Sequence, residues 1–213
     1  MNKTKTIKET IIIKKIKTIE QLKNIGKNIS HLIFIDNFNE NIIISNKITY
    51  VIFRRCFDKK IIVPQNIQHL TFGHMFNKQI IVPQNITHLT FVGYFHQKIK
   101  ISQNITHLIF MTNSNKKIKL TNKITHLALR YGSNKKIKIP YTVTHLTLRF
   151  GSNKKIKIPY TVTHLILGYK FNKKIIIHQK IKLLFIDEYL IKSDKPQNET
   201  HQKIYKQNLI KNY

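Results

Sequence analysis

The chain has 213 residues, the length of one or two domains, and carries 38 Lys and Arg against 9 Asp and Glu, a formal charge of +29. Hydrophobic residues make up 41%, which supports a real core and excludes a disordered basic tail. The single cysteine, Cys56, excludes an internal disulfide framework and a Cys-rich zinc module, and no aliphatic run exceeds three residues, too short to span a bilayer.

Ile, Lys and Asn account for 94 residues, Ala occurs once (Ala128), and only four of the basic residues are Arg. The bias toward residues with AT-rich codons discounts the charge as a functional signal. It does not remove it, because Glu also has AT-rich codons and occurs only five times.

Taken in chain order, residues 1–28 read as an N-terminal cap. They lack the apolar stretch of a secretory signal, so an intracellular, soluble protein is expected. Thr18 and Gln21 have capping-box spacing and Gly26 is a stop signal, which predicts a short helix. With the Ile-rich residues 11–16, it would cover the exposed core of the first repeat.

Residues 29–192 are a repeat. The fragment Ile29-Ser30-His31-Leu32 recurs as Ile67-Gln68-His69-Leu70, Ile86-Thr87-His88-Leu89, Ile105-Thr106-His107-Leu108, Ile124-Thr125-His126-Leu127, Val143-Thr144-His145-Leu146 and Val162-Thr163-His164-Leu165. Ile48-Thr49-Tyr50-Val51 fills the missing unit and Ile181-Lys182-Leu183-Leu184 ends the series. Every step is 19 residues, giving nine units without insertion or deletion. A second fragment lies between these, as in Phe76-Asn77-Lys78-Gln79-Ile80-Ile81-Val82-Pro83.

In the first fragment Leu89 and Phe91 alternate with His88 and Thr90, the period of a strand with one buried face. In the second, Ile99 and Ile101 face inward and Lys98 and Lys100 outward. Ile favours strands, and 19 residues leave little room for a helix with its connections. The fold expected is mostly β: a single-domain parallel β solenoid of about nine repeats with a short N-terminal capping helix. Residues 193–213 have no repeat and read as a polar tail.

The units resemble the FNIP repeat family of social amoebae and amoeba-infecting giant viruses. The residues that carry the resemblance are Phe38-Asn39, Phe76-Asn77 and Phe171-Asn172, the Ile-x-Ile/Val-Pro stretch and the Val/Ile-Thr-His-Leu stretch, over roughly residues 29–190. The family unit is about three residues longer, has Pro where Lys follows Phe-Asn-x here, and has Phe where three central units have Ser. The resemblance implies a leucine-rich-repeat-like fold. Some viral members carry an N-terminal F-box; 28 residues are too few for one, so a ligase role is not expected here.

Three rows of residues 19 apart are candidates for function. His31, His69, His88, His107, His126, His145 and His164, with Tyr50 in one rung, form a ladder at strand spacing. Such a row could be a metal-binding or pH-sensing stripe. A straight row does not converge on a metal, so a structural ladder of stacked, hydrogen-bonded rings is expected. His69, His88, His107, His126, His145 and His164, with Arg130 and Arg149, are the candidate face for a protein partner.

Lysines form further rows: Lys98, Lys117, Lys136, Lys155 and Lys174 in one, and Lys100, Lys119, Lys138 and Lys157 in another. Like charges on adjacent rungs repel, and phosphates of nucleic acid or anionic lipid would relieve this without sequence specificity. The plainer reading is a solvated outer sheet that keeps the solenoid monomeric. The row Asn39, Asp58, Asn77, His96, Asn115, Asn134, Asn153 and Asn172 reads as a turn ladder, and Pro64, Pro83, Pro140 and Pro159 mark the next turn.

No Gly-rich phosphate loop, zincin motif or paired carboxylates occur, and Cys56, despite Arg54 and Arg55 beside it, reads as an inert thiol. No enzyme, metal or cofactor is expected. The function expected is a non-catalytic protein-interaction scaffold, with polyanion binding through the Lys rows as the alternative.

Overall fold

The computed structural model describes residues 12–26, 28–112, 118–130, 138–149, 157–168 and 180–186. Ten strands form one parallel sheet in chain order: β1 (Ile12–Ile16), β2 (Ile29–Phe34), β3 (Tyr50–Phe53), β4 (His69–Phe72), β5 (His88–Gly93), β6 (His107–Thr112), β7 (His126–Arg130), β8 (His145–Arg149), β9 (His164–Leu167) and β10 (Leu183–Ile186). A five-residue helix, α1 (Ile19–Lys23), lies between β1 and β2. From β3 onward successive strands begin one 19-residue step apart, so His69 is paired with His88, Leu70 with Leu89 and Phe72 with Phe91. The expected parallel solenoid is present, with the strand of each unit where the His-Leu fragment placed it.

The alternation within each strand decides its facing. Leu32, Val51, Leu70, Leu89, Leu108, Leu127, Leu146 and Leu165 are buried, as are Phe34, Phe53, Phe72, Phe91, Phe110, Leu129, Leu148 and Leu167 two residues on. After the strand the chain turns at a second buried row, Phe38, Phe57, Phe76 and Phe95, and comes back along an extended segment that buries Ile44, Val63, Val82 and Ile101. The core is thus a slab between the sheet and the returning segments. A tight turn closes each unit: Ile67 N–H donates to the Pro64 carbonyl, and Val162 N–H to that of Pro159.

The second segment was expected to form an outer sheet. Among the described residues it contains no strand. Pro64, Pro83, Pro140 and Pro159 have no N–H to give a ladder. From Phe53 on, the spacing between equivalent rings widens from the outward sheet face toward the Phe-Asn turn, whereas Phe34 and Phe53 are 4.7 Å apart, close to the 4.8 Å of His31 and Tyr50. Histidine rings on the outward sheet face repeat at 3.9–4.2 Å. Phe53, Phe72 and Phe91 inside the sheet repeat at 5.4 Å. Phe38, Phe57, Phe76 and Phe95 at the turn repeat at 6.1–6.3 Å.

The turns therefore fan apart away from the sheet, which makes the outward sheet face concave. At the Phe-Asn turn, side chains bridge the wider gap. Asn39 Oδ1 accepts the Asp58 N–H (2.9 Å), Asp58 Oδ1 that of Asn77 (2.8 Å), and Asn77 Oδ1 that of His96 (2.8 Å). The described part of the turn ladder, from Asn39 to His96, thus bonds from one turn to the next, and Asn115, Asn134, Asn153 and Asn172 lie outside the described residues.

The N-terminus differs from expectation in two ways. Residues 12–16 add a strand to the sheet, pairing with β2 and burying Ile16, so the first repeat is covered by continued pairing. Thr18 makes no side-chain cap bond; Gln21 Oε1 accepts the Lys17 N–H at 2.8 Å.

Two glycines are required by close approach. A Cβ at Gly73 would fall on the Arg54 carbonyl, and Gly93, at φ 101°, would drive one into the His74 carbonyl. Gly93→Ala is expected to destabilise by about 1–3 kcal/mol, read as a lower urea midpoint. Phe72 is fully buried and stacks on Phe76 at 3.8 Å. Phe72→Ala should lower stability by about 3–5 kcal/mol in the same assay.

Candidate functional site

The outward face of the sheet presents three lanes. The first is the stacked imidazole lane at the opening of each strand, with His31, Tyr50 and His69 in the early rungs at a looser 4.8–5.1 Å. Rings of the later rungs lie within 7–20° of parallel. Each is fixed by the residue before it. Thr87 Oγ1 lies 2.8 Å from His88 Nδ1, and the same bond joins Thr106 to His107, Thr125 to His126, Thr144 to His145 and Thr163 to His164 at 2.9–3.0 Å.

Each of these threonine hydroxyls also lies 3.3 Å from the backbone carbonyl one turn back. A hydroxyl that donates there accepts from Nδ1–H, which leaves Nε2 as the free acceptor of the lane. These threonines were not singled out from the sequence, although Thr-His recurs in every unit from 87 to 164. Strict strand alternation would put adjacent residues on opposite faces, but each threonine sits in the turn before its strand starts.

Two residues along lies the second lane: Ile33, Ile52, Thr71, Thr90, Ile109, Ala128, Thr147 and Ile166. A third lane, two further, contains Arg54, Val92, Met111, Arg130 and Arg149. Arg130 and Arg149 are register partners, Arg149 is exposed, and Arg54 lies 3.7 Å from Asp36. Unlike the histidines, these lanes change from unit to unit.

His69, His88, His107, His126 and His145 are half-buried and resist protonation. Burial pushes the His88 pKa down to about 4, with the charges that His69, His107 and His126 would carry acting in the same direction. Burial first, then neighbouring histidines, also lowers His69, His107, His126 and His145. Equivalent ring nitrogens along the lane run parallel rather than toward a common point. Among the described residues no three His, Cys, Asp or Glu side chains form a group that could hold a metal ion. Cys56 is a free, half-buried thiol.

On the other side of the core, Lys98, Lys100, Lys119, Lys138 and Lys157 are exposed. Lys117, Lys136, Lys155 and Lys174 lie outside the described residues. Lys78 is held by Asp58, Nζ to Oδ2 at 2.7 Å. The structure therefore separates the two candidate sets, histidines on the concave sheet face and lysines on the returning segments. No helix among the described residues is long and apolar enough to cross a membrane.

One parallel strand per unit, a buried Leu-x-Phe pattern and fanning turns define a leucine-rich-repeat-like solenoid. Residues 57–92 match the FNIP Repeat family. Among solved structures the chain is similar to CroV588, a protein of a giant virus described as a novel circular leucine-rich-repeat structure. The TM-score is 0.66 at 32% identity, over 78% of this chain and 28% of that one. The chain thus spans less than a third of the length of that neighbour. No match was found among curated proteins. The repeat match and the structural similarity are both consistent with an FNIP-repeat, leucine-rich-repeat-like protein.

The depressed histidine pKa values fix a pH dependence. Unfolded histidines take up protons near pH 6.5, whereas His69, His107, His126 and His145 do so at lower pH in the folded chain, and His88 at about 4. Between these values the unfolded state binds more protons, so stability falls as pH falls. The urea midpoint is expected to drop between about pH 6.5 and 4, and His88→Gln should flatten that slope. An unchanged slope in the variant would show that His88 does not titrate differently on folding.

Proposed function

We propose that the chain is a non-catalytic docking scaffold whose concave sheet face receives a protein partner. The observation that carries this reading is the contrast between lanes on that face. The histidine lane is copied from turn to turn and locked by threonine, so little side-chain entropy is lost when a partner covers it. The lanes beside it vary, and they offer apolar (Ile109, Val92), small (Ala128), hydroxyl (Thr90, Thr147) and cationic (Arg149) contacts in a fixed order. Repeat solenoids use extended concave faces in this way. The repeat family, and the solenoid neighbour that shares the architecture, support a binding role.

His69, His88, His107, His126, His145, His164 and Arg149 are the contact residues of this reading, with Arg130 at the matching register position. A photocrosslinking residue placed at Ile109, on the face, is compared with one at Gln103, in an exposed turn. Incubation with host extract treated with nuclease should give a discrete protein adduct from position 109 and none from 103. Thr90→Glu combined with Thr147→Glu should suppress it. Equal adducts from both positions, or an adduct indifferent to the Glu substitutions, would overturn the reading.

A further inference from the structure

The register position that holds Lys100, Lys119, Lys138 and Lys157 holds Ile43, Ile62 and Ile81 in the three preceding turns. Those isoleucines are 92%, 91% and 88% exposed. Ile42, Ile61 and Ile80 before them, and Ile44, Val63 and Val82 after them, turn into the core. The three side chains therefore stand out as a ridge along the flank opposite the sheet. The same line continues as four exposed lysines, with Lys60 and Lys98 exposed on the parallel row two residues away. Among nearby carboxylates, Glu40 belongs to the first turn and Asp58 is engaged by Lys78.

We infer that this ridge is a docking surface for an anionic lipid bilayer: Ile43, Ile62 and Ile81 enter the interfacial region and the lysines meet the headgroups. Exposed apolar side chains in a line with cations are the combination that interfacial binding rewards. Other occupants fit less well. A second copy of the chain would set lysine rows against lysine rows in a molecule of charge +29. A nucleic acid would neutralise the lysines and leave the isoleucines in water. A helical peptide docks into an apolar groove, and this line is a ridge. A bilayer yields around a ridge. The inference concerns the flank opposite the partner face, so crosslinks at Ile109 and vesicle binding can fail separately.

The test is co-sedimentation of the full chain with vesicles of phosphatidylcholine alone or with about 30% phosphatidylserine. Binding is expected only to the anionic vesicles. The combined substitutions Ile43→Ser, Ile62→Ser and Ile81→Ser should weaken it by about tenfold or more. They remove exposed side chains, so the circular dichroism spectrum and urea midpoint should be unchanged. Combined Lys100→Glu, Lys119→Glu, Lys138→Glu and Lys157→Glu should abolish it. Three results would overturn the proposal: no sedimentation, equal sedimentation with phosphatidylcholine alone, or full binding by the serine variant. If the serine variant binds fully and duplex DNA competes, the lysines are a nucleic-acid stripe instead.

Discussion

Strict 19-residue register is the constraint on which everything else in this molecule depends. With no insertion between units, each side chain lies on its own counterpart one turn away, so every choice of residue is made once and its self-interaction is multiplied. Leu and Phe gain from this. Phe72 packs against Phe53 and Phe91 as well as Phe76, and burial of a ring beside its own kind brings both apolar area and stacking. Amide and carboxylate side chains gain too, because the acceptor of one turn is in place for the N–H of the next. Charged groups lose, since self-stacking places like charges side by side.

How the chain holds so many lysines follows from the fan of its turns. Equivalent groups are about 4 Å apart on the concave face and more than 6 Å apart at the Phe-Asn turn. On the tightly stacked first lane His88 and His107 are half-buried imidazoles that resist protonation, while the cations of that face, Arg54 and Arg149, belong to the third lane. The lysine rows sit beyond the core, on the returning segments, where solvent screens them. Charge placement thus follows the lanes: neutral rings where the stacking is tight, and the lysine rows beyond the core, with the arginines of the third lane as the cations of the sheet face.

The repeat, the facing of the strands and the position of the core could be read from the sequence because they follow from period alone. A 19-residue step with Leu and Phe two apart permits one register and one buried face. Curvature is not encoded in that period; it arises from the difference in ring spacing between rows such as His88 and Phe76. The extra strand β1 was hidden because Ile-Ile-Lys-Lys-Ile has no alternation, and only Ile16 is buried. The outer sheet failed because apolar alternation in residues 98–101 fixes facing without requiring a hydrogen-bonded neighbour. Ile43, Ile62 and Ile81 passed unnoticed because Ile reads as core in a chain so rich in it. Only their register with Lys100 gives them away.

Information for recognition has to sit where the copies differ. A row repeated without change, such as the histidines, offers a partner no means of telling one rung from the next and so cannot set its register. The second and third lanes can. Thr71 and Thr90, then Ile109 and Ala128, then Thr147 and Ile166 give the concave face a direction, and the register pair Arg130 and Arg149 marks one end of it. The copied rows hold the stack in register, and in the proposed docking role the uncopied ones would give it an address. The same logic applies on the opposite flank, where a single position changes from Ile to Lys between residues 81 and 100 and makes an otherwise uniform surface polar along its length.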